Sequence, residues 1–394
     1  MVHVAKEMKR EGFTIPLLIG GATTSRKHTA VKIAPHYEHG VIHVLDASRS
    51  VPVVSSLTNP TNKIELLADI NSQYDIIRTD FDNKQSTRNM LSLEEARKNK
   101  TKIDWATYTP PIPEKLGLHT FKNTPIAELV PYIDWSPYFL TWELKGHYPD
   151  ILSSTRYGNE AKKVFEDALA LLEKIQTENL LTANGVVGLF PAQSNGDDIM
   201  IYDEHDAKKV KATIHTLRQQ NEKREDIPNA ALADYIAPIE SGKMDYMGFF
   251  AVTSGIGCDE LAQAYEKDFD DYNSIMVKAL ADRLAEAFAE YMHKKVRTEL
   301  WGYVKNETLD NNQLIAERYQ GIRPAPGYPA CPDHTEKRTL FDLIKAEENA
   351  NIHLTESFAM HPGATVSGFY FSHPQSKYFA LGKITEDQII DYAQ

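Results

Sequence analysis

The first 60 residues alternate between amphipathic stretches and short runs that are almost wholly apolar. The amphipathic stretches predict helices at 2–10, 25–34 and 48–57, and the apolar runs predict strands at 14–19 and 41–45. Apolar strands that alternate with helices are typical of a parallel sheet buried on both faces. Two strands are too few for a stable doubly wound sheet, so we expect this region to be the end of a larger α/β domain.

The next segment is polar and then rich in proline. Residues 59–100 have a helical character, and LSLEEARK at 91–98 predicts a capped helix. The prolines of residues 103–118 instead predict an extended linker that lies along a neighbouring surface. A domain boundary is therefore expected near residue 100.

Beyond this boundary the pattern predicts an α+β domain with a long central helix and antiparallel strands. The predicted helices cover 158–178, 207–223 and 259–304, and the predicted strands cover 185–190, 199–202 and 249–252. The first two strands are expected to form an antiparallel hairpin with a longer loop around NGDD at 195–198.

Composition excludes several classes of protein. The chain has 394 residues, 42% of them hydrophobic, and a formal net charge of -12, which argues against a surface that binds nucleic acid by neutralising phosphates. Cys258 and Cys331 are its only cysteines and are too few for a disulfide framework. No apolar run approaches the roughly 20 residues that span a bilayer. We therefore expect a reduced, cytoplasmic protein that contacts neither membrane nor nucleic acid.

The segment RPAPGYPACPDHTEK at 323–337 has four prolines and predicts neither a helix nor a strand. One interpretation is a stiff connection between a helix ending near Gln320 and another starting near Thr339. The other is a rigid ribbon, with Arg323, Ala325, Tyr328 and Cys331 extended and their carbonyls unpaired. Such a ribbon could present backbone acceptors and an arginine to a flat polar ligand.

Three further segments each allow a functional and a structural interpretation. GGATTS at 20–25 follows a strand and is either a weak phosphate loop or a turn with a helix cap at Thr24 or Ser25. Asp134 and Trp135, with Trp142, are either a site or core aromatics beside a capping aspartate. The segment at 356–379, with its glycines, aromatics and histidines, is either a core strand or part of a site.

The predicted long helix carries acidic side chains at four-residue spacing. Asp282, Glu286 and Glu290 lie on one face and are either a solvated face or include a partly buried carboxylate at Glu286. A buried carboxylate needs a partner, for which Arg323 is the candidate. His28, His36 and His43 match no standard metal-site spacing and are interpreted as surface or core histidines.

Six segments together resemble the C-terminal part of cobalamin-dependent methionine synthases. They are VHVAKEMKREGFTIPLLIGGATTSRKHTAVKI (2–33), DWSPYFLTWELKGHYP (134–149), VVGLFPAQSNGDDI (186–199), DDYNSIMVKALADRLAEAFAEYMH (270–293), YQGIRPAPGYPACPDHTEK (319–337) and TESFAMHPGATVSGFYFSHPQSKYF (355–379). The resemblance spans nearly the whole chain, and its last two motifs are highly specific.

The resemblance implies a domain organisation and a function. Residues 1–85 would be the end of the Rossmann-like cobalamin-binding domain, 86–118 a linker, and 119–394 the activation domain that binds S-adenosylmethionine. In this methyltransferase family, cobalamin carries a methyl group from methyltetrahydrofolate to homocysteine. The oxidised cofactor is repaired with one electron from a flavodoxin-type donor and a methyl group from S-adenosylmethionine.

The resemblance also implies site residues. The S-adenosylmethionine site would comprise Asp134, Glu286, Arg323, Ala325, Gly327, Tyr328, Tyr378 and Phe379. Ser25 and Thr29 would hydrogen-bond the buried tail of cobalamin. No catalytic residue and no metal ligand is implied, since the cobalt centre is itself the nucleophile.

The sequence departs from the family pattern in several respects. The Asp-x-His-x-x-Gly motif that supplies the cobalt ligand is absent, as are the folate domain and the homocysteine domain with its zinc thiolates. Phe379 stands where the family has a second tyrosine, and Gln394 falls within a helical stretch short of the usual family end. We therefore expect a fragment that does not make methionine unaided and works with the remaining methionine synthase domains.

Two alternatives remain open from the sequence. The chain could be a non-catalytic docking module that recruits a flavodoxin-like electron donor to a separately encoded cobalamin protein. It could also be a nucleotide-dependent enzyme that uses the Gly20-Gly21 turn, although the short, incomplete sheet argues against this.

Overall fold

A computed structural model of the chain describes residues 1–20, 24–44, 47–86, 89–224 and 226–393. The chain divides into two compact units, Met1–Asn89 and Met90–Gln394. Among the described helices, none is both long and apolar enough to cross a lipid bilayer.

The first unit is a small α/β layer around two parallel strands. Its helices are α1 Val2–Arg10, α2 Arg26–His28, α3 Ala47–Thr58 and α4 Pro60–Ser86, and its strands are β1 Leu17–Gly20 and β2 Val41–Val44. Helix α2 continues as a π turn over Thr29–Ile33 and a 3-10 turn over Ala34–His36.

The parallel pairing of β1 and β2 was expected from their apolar sequences, and their register aligns Leu17 with Val41. Ile19 of β1 and Val41 of β2 pack with Ala5 and Ile33 in the core of this unit. Leu45 of the predicted second strand lies outside the described residues. A two-stranded sheet is consistent with many α/β folds, so the Rossmann-like assignment stays a prediction.

The second unit is built on an antiparallel sheet, which confirms the predicted mixed helix and sheet class. Its strands are β3 Gly117–Phe121, β4 Thr182–Asn195, β5 Asp198–Tyr202, β6 Val210–His215, β7 Asp245–Ile256, β8 His353–Leu354, β9 Met360–His361 and β10 Thr365–Tyr370. The main sheet has the order β10-β7-β4-β5-β6, and β3 also pairs with β4. Strands β8 and β9 form a separate two-stranded sheet.

Helices cover both faces of this sheet. They are α5 Leu93–Lys98, α6 Ile126–Leu129, α7 Ser136–Thr141, α8 Gly158–Glu178, α9 Cys258–Lys267, α10 Asp271–Lys295, α11 Asn311–Ile315, α12 Glu336–Ile344, α13 Ala346–Ala350 and α14 Glu386–Tyr392. One core contains α8 and α10, and a second core on the opposite side contains α12 and α13.

The predicted helix at 207–223 is wrong. Residues 210–215 form strand β6, which pairs with β5 and aligns Ile214 with Ile199. The chain that follows is irregular because buried polar side chains fix it. Arg218 donates to Asp197 and Asp234 at 2.5 to 2.9 Å. Helical propensity of the lysine-rich stretch is overridden by this long-range pairing.

The β4–β5 hairpin is confirmed, but its loop is shorter than expected. Asn195 pairs directly with Asp198, which leaves Gly196 and Asp197 as a two-residue turn. The predicted helix at 259–304 is also interrupted. Phe269 adopts a left-handed φ of 58° between α9 and α10, and the Asp270 carboxylate then caps α10 by accepting from Asn273 N.

Most of the segment predicted as a linker lies in the second unit. Helix α5 begins with a reciprocal capping box between Ser92 and Glu95. The Pro111 carbonyl accepts from Trp301 Nε1 at 2.8 Å, and the Tyr108 carbonyl accepts from Lys243 Nζ at 2.6 Å. These bonds hold Tyr108 and Pro111 of the predicted linker against the rest of the second unit, after a turn at residues 104–108.

Candidate ligand-binding site

A cavity of about 580 Å³ opens in the second unit between α10, the proline-rich segment, β10 and the chain before α14. It is lined by Phe250, Glu286, Glu317, Arg323, Pro324, Ala325, Tyr328, Pro329, Ala330, Val366, Ser367, Tyr378, Phe379 and Ala380. Its volume is that of an ordinary small-molecule pocket, in which apolar walls carry a few polar groups.

The proline-rich segment forms one wall and is anchored at the edge of the sheet. Ile322 and Phe371 exchange backbone hydrogen bonds of 3.0 Å in both directions, and the Pro324 carbonyl accepts from Phe369 N at 2.8 Å. Proline cannot donate to a strand, so this wall pairs with β10 at alternate residues only. The segment is therefore both a connection and a cavity wall.

The prediction that this segment keeps its carbonyls unpaired is wrong. The Ala325 carbonyl accepts from Tyr328 N at 3.1 Å, the Tyr328 carbonyl accepts from Cys331 N at 3.0 Å, and the Cys331 carbonyl accepts from Gly327 N at 2.7 Å. Gly327, at a φ of 94°, allows the chain to turn back on itself after Pro326. The flanking helices also differ from expectation, since α11 ends at Ile315 and α12 begins at Glu336.

Arg323 is fixed at both its backbone and its side chain. Its backbone N donates to the Tyr378 hydroxyl at 2.9 Å, and its Nη1 donates to Glu290 Oε2 at 2.5 Å. The predicted ion pair between Arg323 and Glu286 is therefore replaced by a pair with Glu290, one helical turn further along α10. Glu290 is the deeper of the two carboxylates and has the greater need of a partner.

Glu286 remains half-buried in the cavity wall. Burial raises the pKa of its carboxyl above the ordinary value, and the nearby Arg323 and Arg283 partly oppose that rise. Glu317 lies exposed at the rim of the same cavity. Within the described chain neither carboxylate accepts a hydrogen bond, so both are available to a cationic group.

Three aromatic residues predicted for the site, Tyr328, Tyr378 and Phe379, line the same cavity as Glu286. Tyr378 is 39% exposed and its ring faces the cavity, while its hydroxyl accepts from the backbone N of Arg323. Phe379 is half-buried beside it, and Tyr328 is exposed at the rim. An arginine, two free carboxylates and apolar walls suit a zwitterionic ligand with a flat body.

Two of the predicted site residues do not line this cavity. The Asp134 side chain lies in the turn before α7, where its Oδ1 accepts from Ser136 N at 2.9 Å. Gly327 shapes the turn of the wall instead of facing the cavity. The other six predicted residues, Glu286, Arg323, Ala325, Tyr328, Tyr378 and Phe379, are brought together.

Sequence reasoning missed Glu317, Val366, Ser367 and Phe250 as lining residues, and it missed Glu290 as the arginine's partner. Only Glu290 had a visible signal, because it continues the four-residue spacing of Asp282 and Glu286 into the apolar part of α10. Val366, Ser367 and Phe250 reach the cavity through the pairing of β10 with β7, and Glu317 lies in the irregular chain after α11.

In the first unit, Ser25 and Thr29 lie one turn apart. Ser25 Oγ accepts from His28 N at 3.1 Å, and Thr29 Oγ1 donates to the Ser25 carbonyl at 3.1 Å. Ser25 is therefore the helix cap that the sequence left open, whereas residues 21–23 of the candidate phosphate loop lie outside the described residues. A smaller cavity of about 300 Å³ lies nearby and is lined in part by Arg26, His43 and Tyr74.

The fold and cavity of the second unit define a small-molecule-binding domain of the α+β class. Residues 125–394 match the family described as vitamin B12 dependent methionine synthase, activation domain, and the chain belongs to this family. It is also similar to a solved structure described as the MetH reactivation domain bound to AdoHcy. The identity is 55% and the TM-score 0.76, over 77% of this chain and 93% of that one. Both comparisons confirm the resemblance to the C-terminal part of cobalamin-dependent methionine synthases.

Proposed function

We propose that the cavity of the second unit binds S-adenosylmethionine and supports the reductive methylation that returns oxidised cobalamin to its methylated form. The observation that carries this proposal is the arrangement of Arg323 and the unpaired Glu286 around one apolar cavity. The AdoHcy bound to a reactivation domain of 55% identity supports the same ligand class.

Each wall of the cavity has a role in this proposal. The Arg323 guanidinium would bind the ligand carboxylate, which is the geometry that arginine favours. Glu286 and Glu317 would face the ammonium and sulfonium charges, and Tyr378 and Phe379 would pack against the flat adenosine. Because transfer of the methyl group removes the sulfonium charge, both carboxylates favour the reactant over the product.

Cobalamin, when bound, would supply the nucleophile that accepts the methyl group after one-electron reduction. In the first unit, the Ser25 hydroxyl keeps its hydrogen for a ligand acceptor because its oxygen already accepts from His28 N. The Thr29 side chain is buried, and its hydroxyl donates to the Ser25 carbonyl one turn earlier. Of these two hydroxyls, that of Ser25 is the donor that fits the polar tail of the cofactor. The electron would come from a flavodoxin-type donor, and the methyl carrier cycle would need the remaining methionine synthase domains.

We expect the chain to bind S-adenosylmethionine and S-adenosylhomocysteine in isothermal titration calorimetry. Because a ligand that binds only the folded state stabilises it by mass action, a concentration of about a hundred times Kd should raise the free energy of unfolding by about 2.7 kcal/mol. Thermal melts at several ligand concentrations check this. The alternative, a docking module for an electron donor, predicts no heat of binding at millimolar ligand, and that result would remove the proposal.

We expect Glu286→Gln to weaken binding of S-adenosylmethionine by about tenfold and binding of S-adenosylhomocysteine, whose sulfur is a neutral thioether, by less, because only the former carries a sulfonium. Burial raises the pKa of Glu286, so its carboxylate takes up a proton at a higher pH than an exposed glutamate. Affinity for S-adenosylmethionine should therefore fall as the pH falls through that raised pKa, and the glutamine variant should lose this dependence. Titrations of both ligands from neutral to acidic pH provide the measurement. Equal losses for the two ligands would contradict a role in sulfonium recognition.

A further inference from the structure

Behind Arg323 lies a group of buried polar side chains, Glu290, His293, Arg297, Tyr303 and Tyr370, which we call the buried polar cluster. Six of its atoms have no hydrogen-bond partner among the described residues, namely Glu290 Oε1, both ring nitrogens of His293, Arg297 Nη1 and the Tyr303 and Tyr370 hydroxyls. Buried polar atoms are rarely left unpaired in proteins, so this concentration calls for a physical reason.

The cluster is organised by the end of α10 and by the π turn Val296–Leu300 that follows it. Glu290, His293 and Arg297 follow one another at three- and four-residue spacing, so their side chains lie on the same face. The His293 ring stacks on Tyr370 with centroids 5.0 Å apart, and burial lowers its pKa well below the ordinary value, so it is neutral. The cluster therefore contributes Glu290 as its one negative charge and Arg297 as its one positive charge.

Arg297 is held independently of the ligand cavity. Its Nε and Nη2 donate to the two oxygens of Glu307 at 2.6 and 2.8 Å, and its guanidinium lies 4.4 Å from the centre of the Tyr319 ring. Its Nη2 is 3.9 Å from Glu290 Oε1, which is too long for a hydrogen bond but close enough for attraction. Arg297 thus attracts the Glu290 carboxylate without forming a hydrogen bond to its second oxygen.

Glu290 in turn is the only carboxylate that forms an ion pair with Arg323 in the described part of the chain. The Glu290 side chain is 7% exposed, whereas that of Arg323 is 20% exposed and reaches the cavity. One guanidinium nitrogen is anchored on the protein side, and the remaining N–H groups are left for the cavity. A bidentate arginine gains specificity only when its plane is fixed in advance.

We propose that Glu290 is the positioning residue that orients Arg323 toward the ligand carboxylate, with the buried polar cluster as its support. This inference rests on the proposed function, because it needs a ligand that carries a carboxylate. The unpaired atoms then have a reason to persist, since a network that fixes a binding group can be retained at a cost in stability.

The experiment compares Glu290→Gln with Glu307→Gln, using S-adenosylmethionine and its decarboxylated analogue in competition titrations. Both glutamates are buried and both pair with an arginine, but only Glu290 contacts the arginine of the cavity. Glutamine keeps the size of Glu290 and replaces a charged anchor with a neutral one. We expect this variant to bind S-adenosylmethionine about tenfold more weakly and the decarboxylated analogue within about twofold of the wild type.

Glu307→Gln should change the ratio of the two affinities much less than Glu290→Gln does, because it reaches Arg323 only indirectly, through Arg297 and Glu290. Glu290→Asp, which keeps the charge but withdraws it by one methylene, should give an intermediate loss that is again confined to S-adenosylmethionine. Either Glu290 variant that folds provides the test.

Three results would overturn the inference. They are equal losses for both ligands, an unchanged or stronger affinity for S-adenosylmethionine, and a wild-type chain that does not distinguish the two ligands. A wild-type chain that binds neither ligand would instead remove the proposed function itself, so the two failures are distinguishable.

Discussion

Replacing Arg323 with alanine is expected to weaken S-adenosylmethionine binding by about a hundredfold or more and to lower the free energy of unfolding by about 3 kcal/mol. The first effect follows from the loss of the only arginine among the described residues that line the cavity. The second follows from the Glu290 carboxylate, which stays buried without its closest partner. Arg297 at 3.9 Å compensates only in part. Calorimetric titration and urea denaturation measure the two effects separately.

Arg218→Ala is the matched control for this prediction. Arg218 is also a buried arginine, 1% exposed at its side chain, and it pairs with Asp197 and Asp234 away from the cavity. Its loss should cost a similar amount of stability and leave ligand affinity unchanged at a temperature where the variant is folded. If the two variants lose affinity equally, loss of binding reflects general destabilisation and Arg323 has no specific role.

The sequence predicted local elements well where one signal was strong. Helix α8 has the predicted bounds of 158–178, because its apolar positions repeat at helical spacing over 21 residues. The hairpin of β4 and β5 was visible from its turn residues, and the proline-rich wall of the cavity from its composition. The motifs at 270–293, 319–337 and 355–379 also identified six of the residues that line the cavity.

What the sequence could not give is the depth of each residue below the surface. Asp282, Glu286 and Glu290 look alike as acids at four-residue spacing, yet in the structure they run from exposed through half-buried to buried. This gradient arises because α10 enters the core toward its C-terminal end. It determines which carboxylate forms the ion pair with Arg323. The cost of desolvation selects the deepest one, a quantity that no local pattern contains.

Long-range pairing also overrode local preference in the irregular parts of the chain. The stretch at 207–223 has the charge pattern of a helix, but its residues 210–215 pair with β5, with one register shift near Tyr202, and form β6. The carbonyls of the proline-rich wall likewise look unpaired in sequence, although β10 and the turn at Gly327 supply donors. The deciding partner of β6 is distant in the chain, whereas the carbonyls of Ala325, Tyr328 and Cys331 accept from within the proline-rich segment itself.

Gly321→Ala is expected to lower the free energy of unfolding by about 3 kcal/mol, from left-handed strain and overpacking together. Gly321 has a φ of 88°, and a Cβ there would lie 2.4 Å from the Phe371 carbonyl oxygen and 2.9 Å from the Tyr303 hydroxyl. That same carbonyl accepts from Ile322 N, so the methyl group must push apart the pairing that anchors the cavity wall. Displacement of Arg323, two residues on, should weaken ligand binding by about tenfold.

Gly242→Ala separates the clash from the backbone conformation. Gly242 has a similar φ of 67°, but a Cβ there has no neighbour within 4 Å. It should cost only about 1 kcal/mol, from the left-handed conformation alone, and leave affinity unchanged. Urea denaturation and ligand titration of both variants provide the comparison. Equal losses of stability and affinity in Gly321→Ala and Gly242→Ala would mean that the cavity wall accommodates the added methyl group. The backbone pairing of Ile322 with Phe371 could then not be what holds Arg323 in the site.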